Sequence, residues 1–118
     1  MPIVDVVNEI IIDAINNGAS DIHFDPSEDM LRVRVRIDGV LQNYSSIPNS
    51  YKNNLITRIK ILASMNITET RLPQDGAIKS VLKGINLDLR VSCLPTKRGE
   101  KIVIRILDYS MSLRALFW

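Results

Sequence analysis

The feature that most constrains the fold is an alternating run at positions 31–37. Aliphatic residues and arginines take turns along it: Leu31, Arg32, Val33, Arg34, Val35, Arg36 and Ile37. This two-residue period puts the aliphatic side chains on one face of a β-strand and the arginines on the other. Asp38-Gly39 follows directly and is typical of a tight hairpin turn, with residues 40–44 as the returning strand.

The flanking segments predict the remaining elements. Apolar residues at helical spacing indicate helices over 3–17 and from about 50 to 66, the second with Ser50 as a candidate N-cap. Extended segments are expected at 19–24, 77–82, 85–92 and 101–107, and the last is so apolar that it should lie centrally. This order predicts an α+β domain, PAS-like in outline, with a mixed or antiparallel sheet and its helices packed on one face.

Length and composition exclude several classes of protein. The 118 residues suffice for one domain, and the net charge of +2 is too small to indicate a nucleic-acid or membrane binder by itself. A single cysteine and a single histidine argue against a disulfide framework or a His/Cys metal site within the chain. None of the five glycines precedes Lys-Ser or Lys-Thr, so no phosphate-binding P-loop is present. The sequence therefore predicts no ATP-hydrolysing core of its own.

The three arginines of the alternating run are the first candidates for chemistry. They are about 7 Å apart along one face of one strand, and like charges so placed need neutralising. Either acidic neighbours (Asp21, Asp38 or Asp88) pair with them, or they form an anion site suited to phosphate. Their face carries no aromatic residue, and the returning strand offers only Tyr44, which disfavours single-stranded nucleic acid.

Other polar residues allow both a structural and a functional interpretation. Arg58 lies at the margin of the apolar stripe of the second helix, where it could lie over the core or reach toward a partner. His23, beside Asp21, is expected to make a structural hydrogen bond, and Cys93 to be a small buried hydrophobe. The loop at 71–76 is either a well-capped turn or a contact surface.

Six short segments occur in an order and spacing that point to one family. They are Ala-Ser-Asp-Ile-His at 19–23, Val-Arg-Ile-Asp-Gly-Val-Leu at 35–41, Arg-Ile-Lys at 58–60, Arg-Leu-Pro-Gln-Asp-Gly at 71–76, Asp-Leu-Arg-Val-Ser-Cys-Leu-Pro at 88–95 and Gly-Glu-Lys-Ile-Val-Ile-Arg at 99–105. Across residues 3–108 the chain resembles the secretion and pilus-assembly ATPases of type II secretion and type IV pilus systems. Each segment is weak evidence alone, but six in order are specific.

The resemblance implies that residues 1–108 are a PAS-like domain preceding a RecA-like motor, and that residues 109–118 begin the linker to it. The parent would be a cytoplasmic homo-hexamer at the inner face of the cytoplasmic membrane, using ATP and Mg²⁺. This segment would hold no cofactor or metal itself. Expected partners are the RecA-like domains of the same and neighbouring subunits and, through other parts of the protein, inner-membrane platform proteins, but no nucleic acid.

The resemblance also implies roles for individual residues. Arginines of this domain approach ATP bound to a neighbouring subunit, and Arg36 and Arg58 are the candidates for that contact. The other motif positions are expected to be structural or to lie between domains: Asp21, His23, Asp38, Arg71, Gln74, Asp75, Arg90 and Arg105. The alternatives are a stand-alone PAS-like ligand sensor and, less favoured, a sheet-based nucleic-acid binder. The resemblance extends alike to systems of protein secretion, pilus assembly and DNA uptake.

Overall fold

A computed structural model describes residues 2–107 of the chain, so the predicted linker at 109–118 lies outside the described residues. The elements in chain order are α1 (Ile3–Asn16), β1 (Ala19–Pro26), β2 (Met30–Ile37), β3 (Val40–Pro48), α2 (Asn49–Leu62), β4 (Gln74–Leu82), β5 (Ile85–Thr96) and β6 (Gly99–Ile106). The predicted order of helices and strands and the α+β class are confirmed.

The strands form one six-stranded sheet in the order β3-β2-β1-β6-β5-β4. Every adjacent pair is antiparallel, so the sheet is antiparallel throughout and not mixed. Strands β1–β3 form one meander and β4–β6 another, and the two meet where β1 pairs with β6. As predicted from its apolar sequence, β6 is a central strand.

The two faces of the sheet differ in the way that the alternating run predicts. Ile22, Phe24, Val33, Ile102 and Ile104 are completely buried on one face. Helices α1 and α2 cover that face, and α1 contributes a buried stripe of its own from Val7 to Ala14. Alternation places most charged residues of the same strands, the β2 arginines, Lys101 and Arg105 among them, on the opposite face, which no described helix covers. We call this opposite side the open face.

The second helix is shorter than the sequence pattern predicts. It ends at Leu62 and not near residue 66, because the backbone of Ser64 turns left-handed, with φ of 59°. The Met65 amide then bonds back to the Lys60 carbonyl at 2.8 Å, which closes the helix end. The predicted N-cap is also wrong: Pro48 precedes the helix, and Ser50 lies inside its first turn.

Two local features confirm the role of glycine at turns and close contacts. The predicted hairpin turn is present, with φ of 52° at Asp38 and 79° at Gly39, the left-handed values that its type requires. Gly76 on β4 lies against the end of α2. A Cβ atom at Gly76 would be 2.4 Å from the carbonyl oxygen of Ala63, so only glycine lets the helix end approach the strand this closely.

Candidate anion-binding site

Acidic residues of β1 neutralise two of the three β2 arginines on the open face. Arg34 donates from Nε and Nη2 to Asp25 Oδ2 at 2.9 and 2.6 Å, and Lys101 Nζ lies 3.2 Å from Asp25 Oδ1. Arg36 donates from Nε to Asp21 Oδ2 at 3.3 Å. Burial alone would raise the pKa of Asp25, but the hydrogen bonds and charges of Arg34 and Lys101 outweigh it and lower that pKa below its usual value.

The pairing differs in part from the sequence prediction. Asp21 was one of the three proposed partners and does bind Arg36, whereas Asp25 takes the role expected of Asp38 or Asp88. Asp38 occupies the β2–β3 turn, and Asp88 lies on β5, on the far side of the seam between the two meanders. Strand order, which is not evident from local sequence, makes β1 the acidic neighbour of β2.

His23 makes the structural hydrogen bond predicted for it. Its Nε2 lies 2.5 Å from Asp21 Oδ2, the oxygen that also accepts from Arg36. Burial would raise the pKa of Asp21, but hydrogen bonds from Ser20, His23 and Arg36 together lower it. Asp21 is therefore held as a carboxylate beneath the arginine.

Strand register extends this arrangement into a row of charges across the sheet. Asp21 is paired with Arg36 on β2 and with Arg105 on β6, and Arg105 is paired in turn with Arg90 on β5. We call these four residues the arginine row. Arg90 and Arg105 are both exposed, and neither makes an ion pair with any residue of the described range 2–107.

The row combines three guanidinium groups with a single carboxylate. Side chains directly opposite on antiparallel strands are about 5 Å apart at Cβ, and like charges so placed destabilise the sheet. The direct pairing of Arg90 with Arg105 is therefore unfavourable in the domain alone. An external anion would relieve it, because guanidinium groups bind phosphate and carboxylate oxygens through paired hydrogen bonds.

Arg58, the second predicted nucleotide contact, lies in a different place. It belongs to α2, which covers the apolar face, whereas Arg36 projects from the open face. Its Nε atom is buried and has no hydrogen-bond partner among residues 2–107. The structure thus places Arg36 in one row across the open face with Arg90 and Arg105, and it places Arg58 on the other side of the sheet.

The remaining motif residues take up turn, sheet and loop positions. Asp75 on β4 accepts a hydrogen bond from Ser92 Oγ at 2.9 Å on the open face. Arg71 is exposed in the loop before β4, and the Gln74 side chain bonds the backbone of that same loop.

Sequence reasoning missed a buried polar cluster on the apolar side. Lys60 is 1% exposed, and its Nζ lies 2.7 Å from Glu100 Oε1. Cys93, buried as predicted, donates from Sγ to Glu100 Oε2 at 3.0 Å. Burial, this hydrogen bond and the charge of Glu100 raise the pKa of Cys93 to about 12. The signal for Lys60 was available, because it lies four residues after Ile56 on the buried stripe of α2.

Apart from the arginine row, the described residues offer few candidates for a ligand pocket, a metal site or a membrane span. One cavity of about 150 Å³, lined mainly by aliphatic residues such as Ile15, Leu87 and Ile106, lies beside the end of α1. Residues 2–107 contain no cluster of three or more His, Cys, Asp or Glu suited to a metal, and none of their helices is long and apolar enough to cross a membrane.

Comparison with known families agrees with the resemblance seen in the sequence. The family described as "Type II/IV secretion system protein" matches residues 1–116. The chain belongs to this family. The match includes all eight elements of the fold and every residue of the arginine row.

Curated relatives of this type II/IV secretion family are pilus and secretion proteins. The chain is 49% identical over 108 residues to a type IV pilus assembly ATPase PilB of Acinetobacter baylyi and 50% identical over 107 residues to a type II secretion system protein E of Xanthomonas campestris. It is also 50% identical over 110 residues to PilB of Myxococcus xanthus. These alignments cover 91–92% of this chain but 19% of each relative, so the chain spans about a fifth of their length.

Proposed function

We propose that this chain is the PAS-like domain of a hexameric ATPase that powers type II secretion or type IV pilus assembly. In this proposal the domain packs on the RecA-like domain of a neighbouring subunit and directs arginines at the ATP bound there. Family membership and the relatives named as pilus assembly ATPases support the general assignment. The arginine row supports the specific role.

The observation that carries the proposal is the imbalance of charge in that row. Asp21 is already engaged by His23 and Arg36, which leaves Arg90 and Arg105 opposed and unpaired within residues 2–107. Guanidinium groups supplied by a neighbouring subunit stabilise the charge that develops on phosphate oxygens during hydrolysis. They also sense whether the γ-phosphate is present, which would couple turnover to movement of the two domains.

The proposal assigns the remaining chemistry to other parts of the parent protein. The RecA-like domain would bind ATP with its Mg²⁺, and this domain would contribute positive charge without holding either. The parent would work in the cytoplasm against the inner face of the cytoplasmic membrane, where platform proteins bind its other parts. Type II secretion and type IV pilus assembly fit the relatives equally well.

A chimeric pilus ATPase tests the role of the row. Residues 2–107 would replace the matching segment of the Acinetobacter baylyi relative, and ATP hydrolysis and nucleotide affinity would be measured for each variant. Arg90→Ala and Arg105→Ala should each lower kcat by about tenfold or more, while binding of a fluorescent ATP analogue is retained. Arg32→Ala is the matched control, since Arg32 is an exposed arginine on the open face outside the row.

The same chimera tests individually the two arginines, Arg36 and Arg58, that the sequence analysis predicts to contact nucleotide. Arg36→Ala should lower kcat because Arg36 belongs to the row, although its contact with Asp21 makes the loss smaller than for Arg105. Arg58→Ala tests whether α2 supplies a second contact from the other side of the sheet. Wild-type turnover in both Arg90→Ala and Arg105→Ala would refute the assignment of the row to nucleotide.

A further inference from the structure

His23 is connected to the arginine row through a single carboxylate oxygen. Asp21 Oδ2 lies 2.5 Å from His23 Nε2 and 3.3 Å from Arg36 Nε. The other oxygen of Asp21, Oδ1, accepts a hydrogen bond from Ser20 Oγ at 2.8 Å. Arg36 also donates from Nη1 to the Gly39 carbonyl at 3.3 Å. The orientation of Arg36 therefore depends in part on an oxygen that it shares with a histidine.

The second ring nitrogen of His23 identifies the proton that this residue can exchange. Nδ1 is buried and makes no hydrogen bond to any of residues 2–107. Burial alone would raise the pKa of Asp21, but its hydrogen bonds lower that pKa, so Asp21 is a carboxylate that can only accept. Nε2 must therefore carry a proton to donate to Asp21. The proton that His23 gains or loses in this arrangement is the one on Nδ1.

Charged side chains face His23 from three strands of the open face. Arg34 lies opposite His23 on β2, and the uncharged Val103 lies opposite it on β6. The charged neighbours on β1, β2 and β6 are Asp21, Asp25, Arg34, Arg36, Lys101 and Arg105. Both of these carboxylates are already paired with arginine or lysine. A proton on Nδ1 therefore adds a positive charge for which these three strands offer no further carboxylate on this face.

Protonation of His23 changes the row in two ways. The three guanidinium groups and the single carboxylate already leave an excess of positive charge, and an imidazolium beside Asp21 increases that excess. The imidazolium also neutralises more of the carboxylate charge, because a charged donor forms the stronger hydrogen bond. Asp21 then attracts Arg36 less strongly, since both donors use the same oxygen. Both changes increase the attraction of the row for an oxyanion.

We propose that His23 is the proton-sensitive residue of the arginine row, and that its protonation strengthens the binding of a phosphate-type oxyanion by Arg36, Arg90 and Arg105. The inference deepens the proposed function and rests on it for the identity of the anion, the terminal phosphate of ATP. Coupling between two ligands is reciprocal, so a bound phosphate favours the protonated form of His23 to the same extent. Arrival of the phosphate takes up a proton from solvent, and departure of the phosphate after hydrolysis releases it.

The first test measures sulfate binding by the 118-residue chain at pH 5.5 and pH 8.0, with chloride added to hold the ionic strength constant. Sulfate is a tetrahedral oxyanion whose charge is constant across this range, whereas a phosphate group gains a proton near pH 6. Histidine is the side chain that ordinarily changes charge in this interval, and the chain contains one. NMR signals of the Arg90 and Arg105 backbone amides report the binding. The dissociation constant should be about fivefold or more lower at pH 5.5.

Two variants separate the charge of His23 from its hydrogen bond. His23→Gln keeps an amide that donates to Asp21 but cannot ionise. It should retain the wild-type affinity at pH 8.0 and lose the increase at pH 5.5. It also retains the amino terminus, which titrates near this range and is thereby controlled. Arg32→Ala, outside the row, is the matched control and should retain both the affinity and its pH dependence.

A third variant locates the site, and the backbone amide spectrum of every variant checks its fold. The double variant Arg90→Ala/Arg105→Ala should lose sulfate binding at both pH values, because two of the three guanidinium groups are gone. Equal sulfate affinity at the two pH values in the wild-type chain would overturn the inference without reference to any variant. An undiminished pH dependence in His23→Gln, or the absence of sulfate binding at both pH values, would also overturn it.

The outcomes distinguish this inference from the proposed function, which the turnover of the chimeric ATPase tests. Low turnover in Arg105→Ala with sulfate binding that does not depend on pH would refute the role of His23 and leave the proposed function intact. Sulfate binding that strengthens at pH 5.5, together with wild-type turnover in Arg90→Ala and Arg105→Ala, would support a proton-linked anion site and refute its assignment to ATP.

Discussion

At the scale of single residues, the ionisation of an acidic residue on the open face depends on its partners on the neighbouring strands. Asp25 is the clearest case, because Arg34 and Lys101 hold it from both sides. Its local sequence, Phe-Asp-Pro-Ser-Glu, looks like the start of a turn and gives no sign of either partner. Its ionisation is therefore a property of the folded sheet.

The lowered pKa of Asp25 predicts how stability depends on acidity. The folded state has the lower pKa, so the stabilisation is complete above the unfolded value of about 3.9 and is lost as the pH falls through the folded value. Urea unfolding from pH 6 to pH 2.5 should show this loss in the wild-type chain. Asp25→Asn should show a smaller decrease, and an equal decrease in both proteins would contradict the prediction.

Gly76 gives a second prediction at this scale. Gly76→Ala should lower the free energy of unfolding by about 1–3 kcal/mol, because its Cβ would overlap the Ala63 carbonyl. Equilibrium urea unfolding measures the difference. Ser80→Ala, at an exposed position of the same strand, should change stability by less than about 0.5 kcal/mol. A neutral Gly76→Ala would mean that the end of α2 can move away from β4 at little cost.

At the scale of elements, sequence periodicity predicted most strands and both helices, since each depends on a local pattern. The run at 31–37 and the Asp38-Gly39 turn define β2 and its hairpin without further information. The end of α2 was predicted too late, because apolar residues continue past Leu62 while the backbone turns at Ser64. The arginine row could not be predicted, since the pairing of Arg105 with Asp21 and Arg90 depends on strand order and register.

The hairpin between β4 and β5 supplies a prediction about an element. Its turn has φ of 50° at Lys83 and 79° at Gly84, and lysine is poorly suited to that left-handed conformation. Lys83→Asn should raise the free energy of unfolding by about 0.5–1 kcal/mol, because Asn-Gly is the preferred pair for this turn. Thermal and urea unfolding would both report the gain. Lys79→Asn, within β4, is the control and should show none.

At the scale of the whole molecule, the open face and the helix-covered face of the sheet have opposite effects on stability. The covered face stabilises the domain through burial, whereas the arginine row places like charges together on the exposed side. Residues that serve binding often reduce the stability of the protein in isolation. Under the proposed function, Arg90 and Arg105 serve binding in this way and reduce the stability of the isolated domain.

The repulsion between Arg90 and Arg105 predicts that one substitution, Arg90→Ala, lowers the activity of the ATPase but raises the stability of the isolated chain. Arg90→Ala should stabilise the isolated chain by about 0.2–1 kcal/mol at low salt, because it removes the charge opposite Arg105. The gain should shrink in high salt, where the repulsion is screened. Urea unfolding at two ionic strengths measures both effects, and the Arg32→Ala control should show neither. A destabilised Arg90→Ala at low salt would show that packing of the arginine stem outweighs the repulsion.

The seam between the two meanders determines when the arginine row forms during folding. Strands within each meander are neighbours in sequence, whereas β1 and β6 are separated by most of the chain. Contacts between distant segments form late, because closing a long loop costs entropy before any contact repays it. Arg36 and Asp21 belong to one meander, and Arg90 and Arg105 to the other. A chain in which only one meander has folded therefore contains half of the arginine row. The complete row forms only when β1 pairs with β6, which is the last step of folding.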